Sequence, residues 1–262
     1  MAIARANLLG VGVSAIDYDL ATAEIERWAE ERSPHYVCVA TVNALVESQH
    51  DEAFRKIHNT AGLVTPDGMP LVWLSRLMGF GQTRRVYGPD LLLHVCRKSV
   101  GRLRHYFYGG RPGVASQLAS HLTARFPGLL VAGAAAPPVY DGTTRYRPLT
   151  DSEEQMLIEN ISKSNADIVW VGLGTPYQER WMAEHVRKLA APVLIGVGAA
   201  FDFHTGLVKQ APSWMQRLGL EWLFRLSMEP RRLWRRYLIG NSIFLWLICC
   251  QALGRRPPPL DA

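Results

Sequence analysis

Asp67 is the first candidate for chemistry in this chain. It stands in Thr65-Pro66-Asp67-Gly68-Met69-Pro70, a turn whose prolines and glycine restrict the backbone and let a side chain be aimed. A carboxylate in a partly dry cleft has its pKa raised toward neutrality and then accepts a proton effectively in a transition state. The competing assignment is structural, with Asp67 capping a helix that begins near Met69. Two further segments carry polar groups: Gly172-Leu173-Gly174-Thr175-Pro176-Tyr177-Gln178-Glu179, and Gly196-Val197-Gly198-Ala199-Ala200-Phe201-Asp202-Phe203. All three follow apolar, strand-like runs and open toward helical patterns. In an open parallel sheet that puts them at the carboxyl edge, where ligands bind, so they are expected to meet in one pocket.

The elements that must position these segments are legible from hydrophobic periodicity. Strand-like runs at 36–40, 63–65, 105–108, 129–132, 167–172 and 193–197 alternate with helical patterns at 43–59, 69–78, 89–99, 112–126, 151–164 and 176–189. Such alternation reads as βαβ units, hence an α/β fold with a Rossmann-like parallel sheet flanked by helices. Residues 7–19 read as a hairpin or edge element. After Gly206 the pattern changes to interleaved tryptophans and arginines, which predicts a C-terminal helical appendage. The expected organisation is a core at 1–206, a basic helical appendage at 207–254 and a disordered tail at 255–262, where Pro257-Pro258-Pro259 stands.

Charge sharpens this division. The 262 residues carry a net charge of +6, and positions 217–256 alone hold eight arginines against Glu221 and Glu229, so the remainder is formally neutral. An anionic partner is therefore expected at the appendage. Leu238, Ile243, Phe244, Trp246, Leu247 and Ile248 supply an apolar helix face beside the arginines, which suits an anionic membrane surface better than nucleic acid. Cys38, Cys96, Cys249 and Cys250 have neither disulfide-framework nor zinc-ligand spacing, and the first residues do not read as a signal peptide. A cytoplasmic, peripheral location is the expectation.

Two patterns are decoys. Asp17-Tyr18-Asp19 matches the Asp-x-Asp of many metal-dependent sugar transferases, but three residues are weak support and Asp19 suits a cap on a helix starting near Leu20. The Gly-x-Gly pairs at Gly10, Gly172 and Gly196 lack the full dinucleotide fingerprint, which argues against a nicotinamide-dependent oxidoreductase.

The segments together resemble the WecG/TagA/CpsF family of bacterial glycosyltransferases. The matching pieces are Ala40-Thr41-Val42-Asn43, the Thr-Pro-Asp-Gly-Met-Pro turn, Arg85-Val86-Tyr87-Gly88-Pro89-Asp90-Leu91, the Gly-Thr-Pro-x-Gln-Glu segment with Trp181, and the Phe-Asp-Phe segment. They continue through Gly206, Ala211-Pro212, Trp214 and Gly219-Leu220-Glu221-Trp222-Leu223-Phe224-Arg225-Leu226, then Glu229-Pro230-Arg231-Arg232-Leu233 and Arg235-Arg236-Tyr237. The resemblance implies an inverting enzyme that moves N-acetylmannosamine, its uronic acid or glucose from a UDP donor to a polyprenyl-diphosphate-linked saccharide. It implies Asp67 as base, with Arg85 also at the substrate, and Gln178 as a sugar contact. Thr41 and Asn43 are candidates for sugar hydroxyls or an acetamido group, or for a helix cap. Asp202 is a candidate for nucleoside hydroxyls or the uracil edge.

With no metal expected, arginines must meet the departing diphosphate, for which their planar fork is suited; Arg225, Arg232 and Arg235 are the candidates by resemblance. A homo-oligomer is compatible with all of this. A non-catalytic membrane-binding scaffold is the reading from another class.

Overall fold

The structure is a computed structural model that describes residues 3–139 and 146–260. Along the chain run β1 (Arg5–Leu8), β2 (Val11–Ser14), α1 (Tyr18–Glu30), β3 (His35–Ala40), α2 (Val42–His50), α3 (Glu52–Thr60), β4 (Leu63–Pro66) and α4 (Met69–Leu77). Next come α5 (Gly88–Lys98), β5 (Arg104–Gly109), α6 (Val114–Arg125), β6 (Leu130–Ala135), α7 (Asp151–Lys163), β7 (Ile168–Gly172), α8 (Tyr177–His185), β8 (Val193–Gly196) and α9 (Ala200–His204). The chain continues with α10 (Ser213–Arg217), α11 (Glu221–Met228), α12 (Pro230–Trp234), a π-helical turn (Arg235–Ile239) and α13 (Gly240–Ala252).

Six strands form a parallel sheet in the order β4-β3-β8-β7-β5-β6, with helices flanking it, as the βαβ alternation predicts. All five residues of β7 are buried, and so are all four of β8, the mark of strands covered on both faces. β1 and β2 pair as an antiparallel hairpin whose turn places Leu9 and Gly10 at φ of 56° and 85°. The expected helix over 43–59 is two helices. Asp51 ends α2 with an extended backbone, and its side chain accepts from Phe54 N at 2.8 Å to start α3. Asp19 does not cap α1 but lies inside its first turn, 3.2 Å from His94 Nε2.

Two compact units emerge. The first comprises Met1–Tyr18, Cys38–Tyr87 and Gln210–Ala262, and the second Asp19–Val37 and Gly88–Lys209. The basic C-terminal segment thus folds with the N-terminal strands of the first unit. α13 packs on α2, Gln251 bonds the hairpin through Leu9 N (2.9 Å) and Asn7 O (3.0 Å), and Asn7 Nδ2 donates to Pro258 O at 2.9 Å. Within the expected tail Pro258 is therefore tied to the hairpin, and Leu260 stands beside Gly12, while 261–262 lie outside the described residues. Phe244, expected on an interfacial face, is buried, whereas Leu245 and Trp246 are exposed. Among the described residues no helix is long and apolar enough to cross a membrane.

Candidate active site

Asp67 follows the last residue of β4 on a turn held from two directions. Its own N–H donates to Ala40 O at 3.0 Å, and Val86 N donates to Pro66 O at 2.9 Å. The capping assignment does not survive inspection of α4. Its N-cap is Gly68, with no side-chain bond to the first turn, and Pro70 needs none. The Asp67 carboxylate is left for other work, and only 16% of its side chain is exposed.

Arg85 organises what surrounds it. Its Nε donates to the Asp67 carbonyl, Nη1 to Gln216 Oε1 at 3.3 Å and Nη2 to Glu221 Oε2 at 2.6 Å. The other Glu221 oxygen accepts from Tyr87 Oη at 2.9 Å, and the guanidinium lies 4.2 Å from the centre of the Tyr87 ring. Asp67 Oδ1 stands 3.5 Å from Arg85 Nη2, a Coulombic neighbour without a hydrogen bond. Glu221 therefore holds the shorter contact with the arginine, and Asp67 the looser one.

The electrostatics follow from that division. Desolvation is the main reason the Asp67 carboxyl is pushed up to about 7; Glu221 adds to the rise, while Arg85 and Arg225 oppose it. Burial works against charge on Arg85, but Asp67 and Glu221 more than offset it and raise its pKa. Burial, then the Glu221 charge, raises Tyr87 far above its ordinary value, so its hydroxyl stays a donor. A carboxylate that titrates near neutrality, beside a fixed cation, can take a proton from a hydroxyl and release it again.

Asp67, Arg85, Gln216 and Glu221 of this cluster line a cavity of about 290 Å³ in the first unit. Thr41, Asn43, Asp67, Arg85 and Arg225 all line it, so five of the expected site residues come together here. Thr41 is also the N-cap of α2, accepting from Ala44 N at 3.4 Å, while Asn43 sits in that helix's first turn. Arg232 and Arg235 are not among the lining residues. Arg232 pairs with Glu229 at 2.8 Å, and Arg235 lies over Trp234 at 5.2 Å. Arg236 lines the cavity instead, with Trp222, Tyr237 and Phe244 as its aromatic wall.

Gln178 and Asp202 belong to the second unit. Gln178 is buried, accepts from Gly198 N at 2.9 Å through Oε1 and donates to Glu179 Oε1 at 3.0 Å. That carboxylate, fully buried, also accepts from Thr175 Oγ1 at 2.9 Å. The network clamps the loops after β7 and β8 together. Glycine is required around it: a Cβ on Gly109 would stand 2.6 Å from the Gly172 backbone, and one on Gly196 would meet Met182 at 2.7 Å and Gln178 at 3.1 Å. Asp202, on α9, is close enough to Tyr146 to contribute to the raised pKa of that phenol, after burial.

With this geometry in view, the chain can be compared with known proteins. The model of the glycosyl transferase WecG/TagA/CpsF family matches residues 6–258. The chain belongs to this family. An N-acetylglucosaminyldiphosphoundecaprenol N-acetyl-beta-D-mannosaminyltransferase of Bacillus subtilis is 32% identical over 205 residues, covering 76% of this chain and 74% of the relative. The enzyme of the same name from Bacillus spizizenii is 28% identical, covering 80% of this chain and 77% of the relative. One from Staphylococcus aureus is 24% identical over 93% of this chain and 94% of its own length. As a member of this family the chain is a glycosyltransferase.

Glu221, Tyr87, Gln216 and Arg236 were not singled out as site residues by the sequence reading. Glu221 did carry a signal: it is one of only two acids among eight arginines over 217–256, and an acid in so basic a segment has a partner to find. Tyr87 and Gln216 carried no comparable one. Nothing in Arg235-Arg236 says which of the two guanidiniums turns inward; that depends on helical phase through the π-helical turn.

Proposed function

We propose that this glycosyltransferase transfers N-acetylmannosamine or a closely related hexose from a UDP donor to a polyprenyl-diphosphate-linked sugar, with inversion, while bound peripherally to an anionic membrane surface. The observation that carries the proposal is Asp67: a nearly buried carboxyl without a capping role, raised to about 7, in a cavity that also presents Arg85, Arg225 and Arg236. The acceptor hydroxyl attacks the anomeric carbon as its proton passes to Asp67. The new C–O bond forms while the bond to the UDP β-phosphate oxygen breaks, and the diphosphate leaves with the electron pair. One displacement with one base inverts the anomeric centre, in keeping with the beta linkage in the relatives' names. In this reading Arg225 and Arg236, which line the cavity, meet the diphosphate oxygens, with Arg232 and Arg235 as outer contributors. In the second unit Gln178 and Asp202 are assigned to the donor's sugar and nucleoside.

The direct test is a screen of UDP-sugars against a short-chain lipid-diphosphate-N-acetylglucosamine, with product mass detected, in the presence and absence of EDTA. Transfer from UDP-N-acetylmannosamine that survives chelation is expected. Loss of turnover with EDTA and its return with magnesium or manganese would overturn the arginine account and reopen Asp17 and Asp19 as ligands.

A further inference from the structure

A second apolar surface lies on the first unit outside the C-terminal helix. α4 carries Trp73 on its exposed side, and its end presents Leu77, 83% exposed, and Met78. α10 exposes Trp214, and Leu218 follows it at 58%. The two elements are in contact: a Cβ on Gly219 would stand 3.2 Å from the Trp73 ring and 3.3 Å from Met69 Cβ, so the α10–α11 junction rests directly on α4. Five large exposed apolar side chains thus lie on these two touching elements of the same unit.

The charges around them select an occupant. Residues 68–84 contain Arg76 and Arg84 and no Asp or Glu, and residues 210–220 contain Arg217 and no Asp or Glu; Arg85 is turned to Asp67 and Glu221 at the cavity and is not part of this set. Arg76 Nε donates to Thr83 O at 2.8 Å and Arg84 Nη1 to Gly81 O at 2.9 Å, which holds both guanidiniums at the turn beyond Leu77 and Met78. A second copy of this chain would bring like charge against like charge. A surface of exposed apolar groups on two segments whose charged residues are all arginines fits anionic lipid, where tryptophan and arginine place an apolar body in the acyl boundary and a polar end among headgroups.

We infer that the α4–α10 face, with Leu77 and Met78 as its inserting tip, is a second membrane contact that seats the first unit on an anionic bilayer independently of α13. This rests on the peripheral-membrane part of the proposed function. It has a mechanistic use: Met69 and Pro70 at the start of α4 line the catalytic cavity, and the nine residues of α4 span about 13 Å. The helix would hold the cavity one helix length from the lipid surface, where a lipid-linked acceptor presents its sugar.

The experiment uses the full chain with Leu77→Cys in a Cys249→Ser, Cys250→Ser background, since Cys38 and Cys96 are buried. The new thiol is labelled with an environment-sensitive fluorophore. On vesicles of phosphatidylglycerol and phosphatidylcholine the label should shift to the blue and be quenched by lipids bearing a nitroxide on the acyl chain; phosphatidylcholine alone should do neither. In the unlabelled chain, Leu77→Asp with Met78→Asp should cut vesicle binding about tenfold or more at fixed lipid, with unchanged circular dichroism. If the protein sediments with anionic vesicles while the label stays in a watery environment, α4 is not a membrane contact and the inference falls alone. If the label is already blue without vesicles, in a species of twice the mass, the face is a self-association surface and the inference is wrong. If the unmodified chain ignores anionic vesicles, the peripheral-membrane reading falls with it.

Discussion

Two buried clusters of this protein respond to the same force in opposite ways. Around His105, in the second unit, every polar atom has a partner: Trp170 Nε1 donates to Nδ1 at 3.0 Å, so Nε2 carries the hydrogen and donates to Ser99 Oγ at 2.8 Å, and Ser99 passes its own to Val95 O at 2.7 Å. Burial lowers His105 to about 4 and keeps it neutral. Around Asp67 burial raises the carboxyl to about 7, and one of its oxygens has no hydrogen bond. Desolvation is the leading cause in both, so a displaced pKa does not by itself mark a site. What separates them is the cavity: Asp67 opens onto one and His105 is sealed by its partners.

The largest effect that would break this comparison is Asp67→Asn, which keeps the shape and removes the proton acceptor. Transfer should fall roughly 100- to 10,000-fold while UDP binding, read by calorimetry, stays near that of the parent. Retention of more than about a tenth of the activity would remove Asp67 from the chemistry. Next come the inward arginines. Arg225→Ala and Arg236→Ala should each cost roughly 10- to 100-fold in kcat, in line with the loss of a charge-assisted contact worth about 1.5–3 kcal/mol, and Arg232→Ala only a few-fold. Equal losses at all three would put the outer arginine at the substrate as well.

Glu221→Gln tests how Arg85 is shared. In the parent, kcat/KM should rise with pH through about 7 as Asp67 loses its proton. Glu221 raises that value and holds Arg85 at 2.6 Å. Removing its charge lets the guanidinium turn toward Asp67, so the rising limb should move to lower pH and the plateau drop several-fold as the base weakens. An unshifted limb would mean that Glu221 is only a strut for α11.

The smallest effect on transfer belongs to the sealed cluster, where stability should change instead. His105 has a folded pKa of about 4 against 6.5 when unperturbed, so below 6.5 the unfolded chain binds a proton that the folded one refuses. Its contribution is fully present above about 6.5 and is lost as pH falls toward 4, by about 3 kcal/mol over the window. His105→Phe should be less stable at pH 7 by about 1–3 kcal/mol, since Trp170 and Ser99 lose a partner. Denaturant titrations from pH 7 to 4 should show a flatter decline than in the parent, with transfer at pH 7 within about twofold. A parallel decline in both proteins would place the acid sensitivity elsewhere.

The sequence by itself determined the parallel α/β core, since strand and helix leave different short-range periods, and five of the expected site residues came together on the strength of local turns and the family resemblance. It also located the basic segment. Its reach ended where distance in space departs from distance along the chain. Nothing local said that Asp51 would split a helix, that Gly68 rather than Asp67 would begin α4, or that the C-terminal segment from Gln210 would fold with the hairpin. Above all, the pairing of Arg85 with Glu221, 136 residues apart, exists only in the folded chain. That contact decides how much of the guanidinium's charge is left for Asp67, and so how basic Asp67 is. Coulombic and desolvation energies depend on separation and enclosure, neither of which is written in the order of the residues.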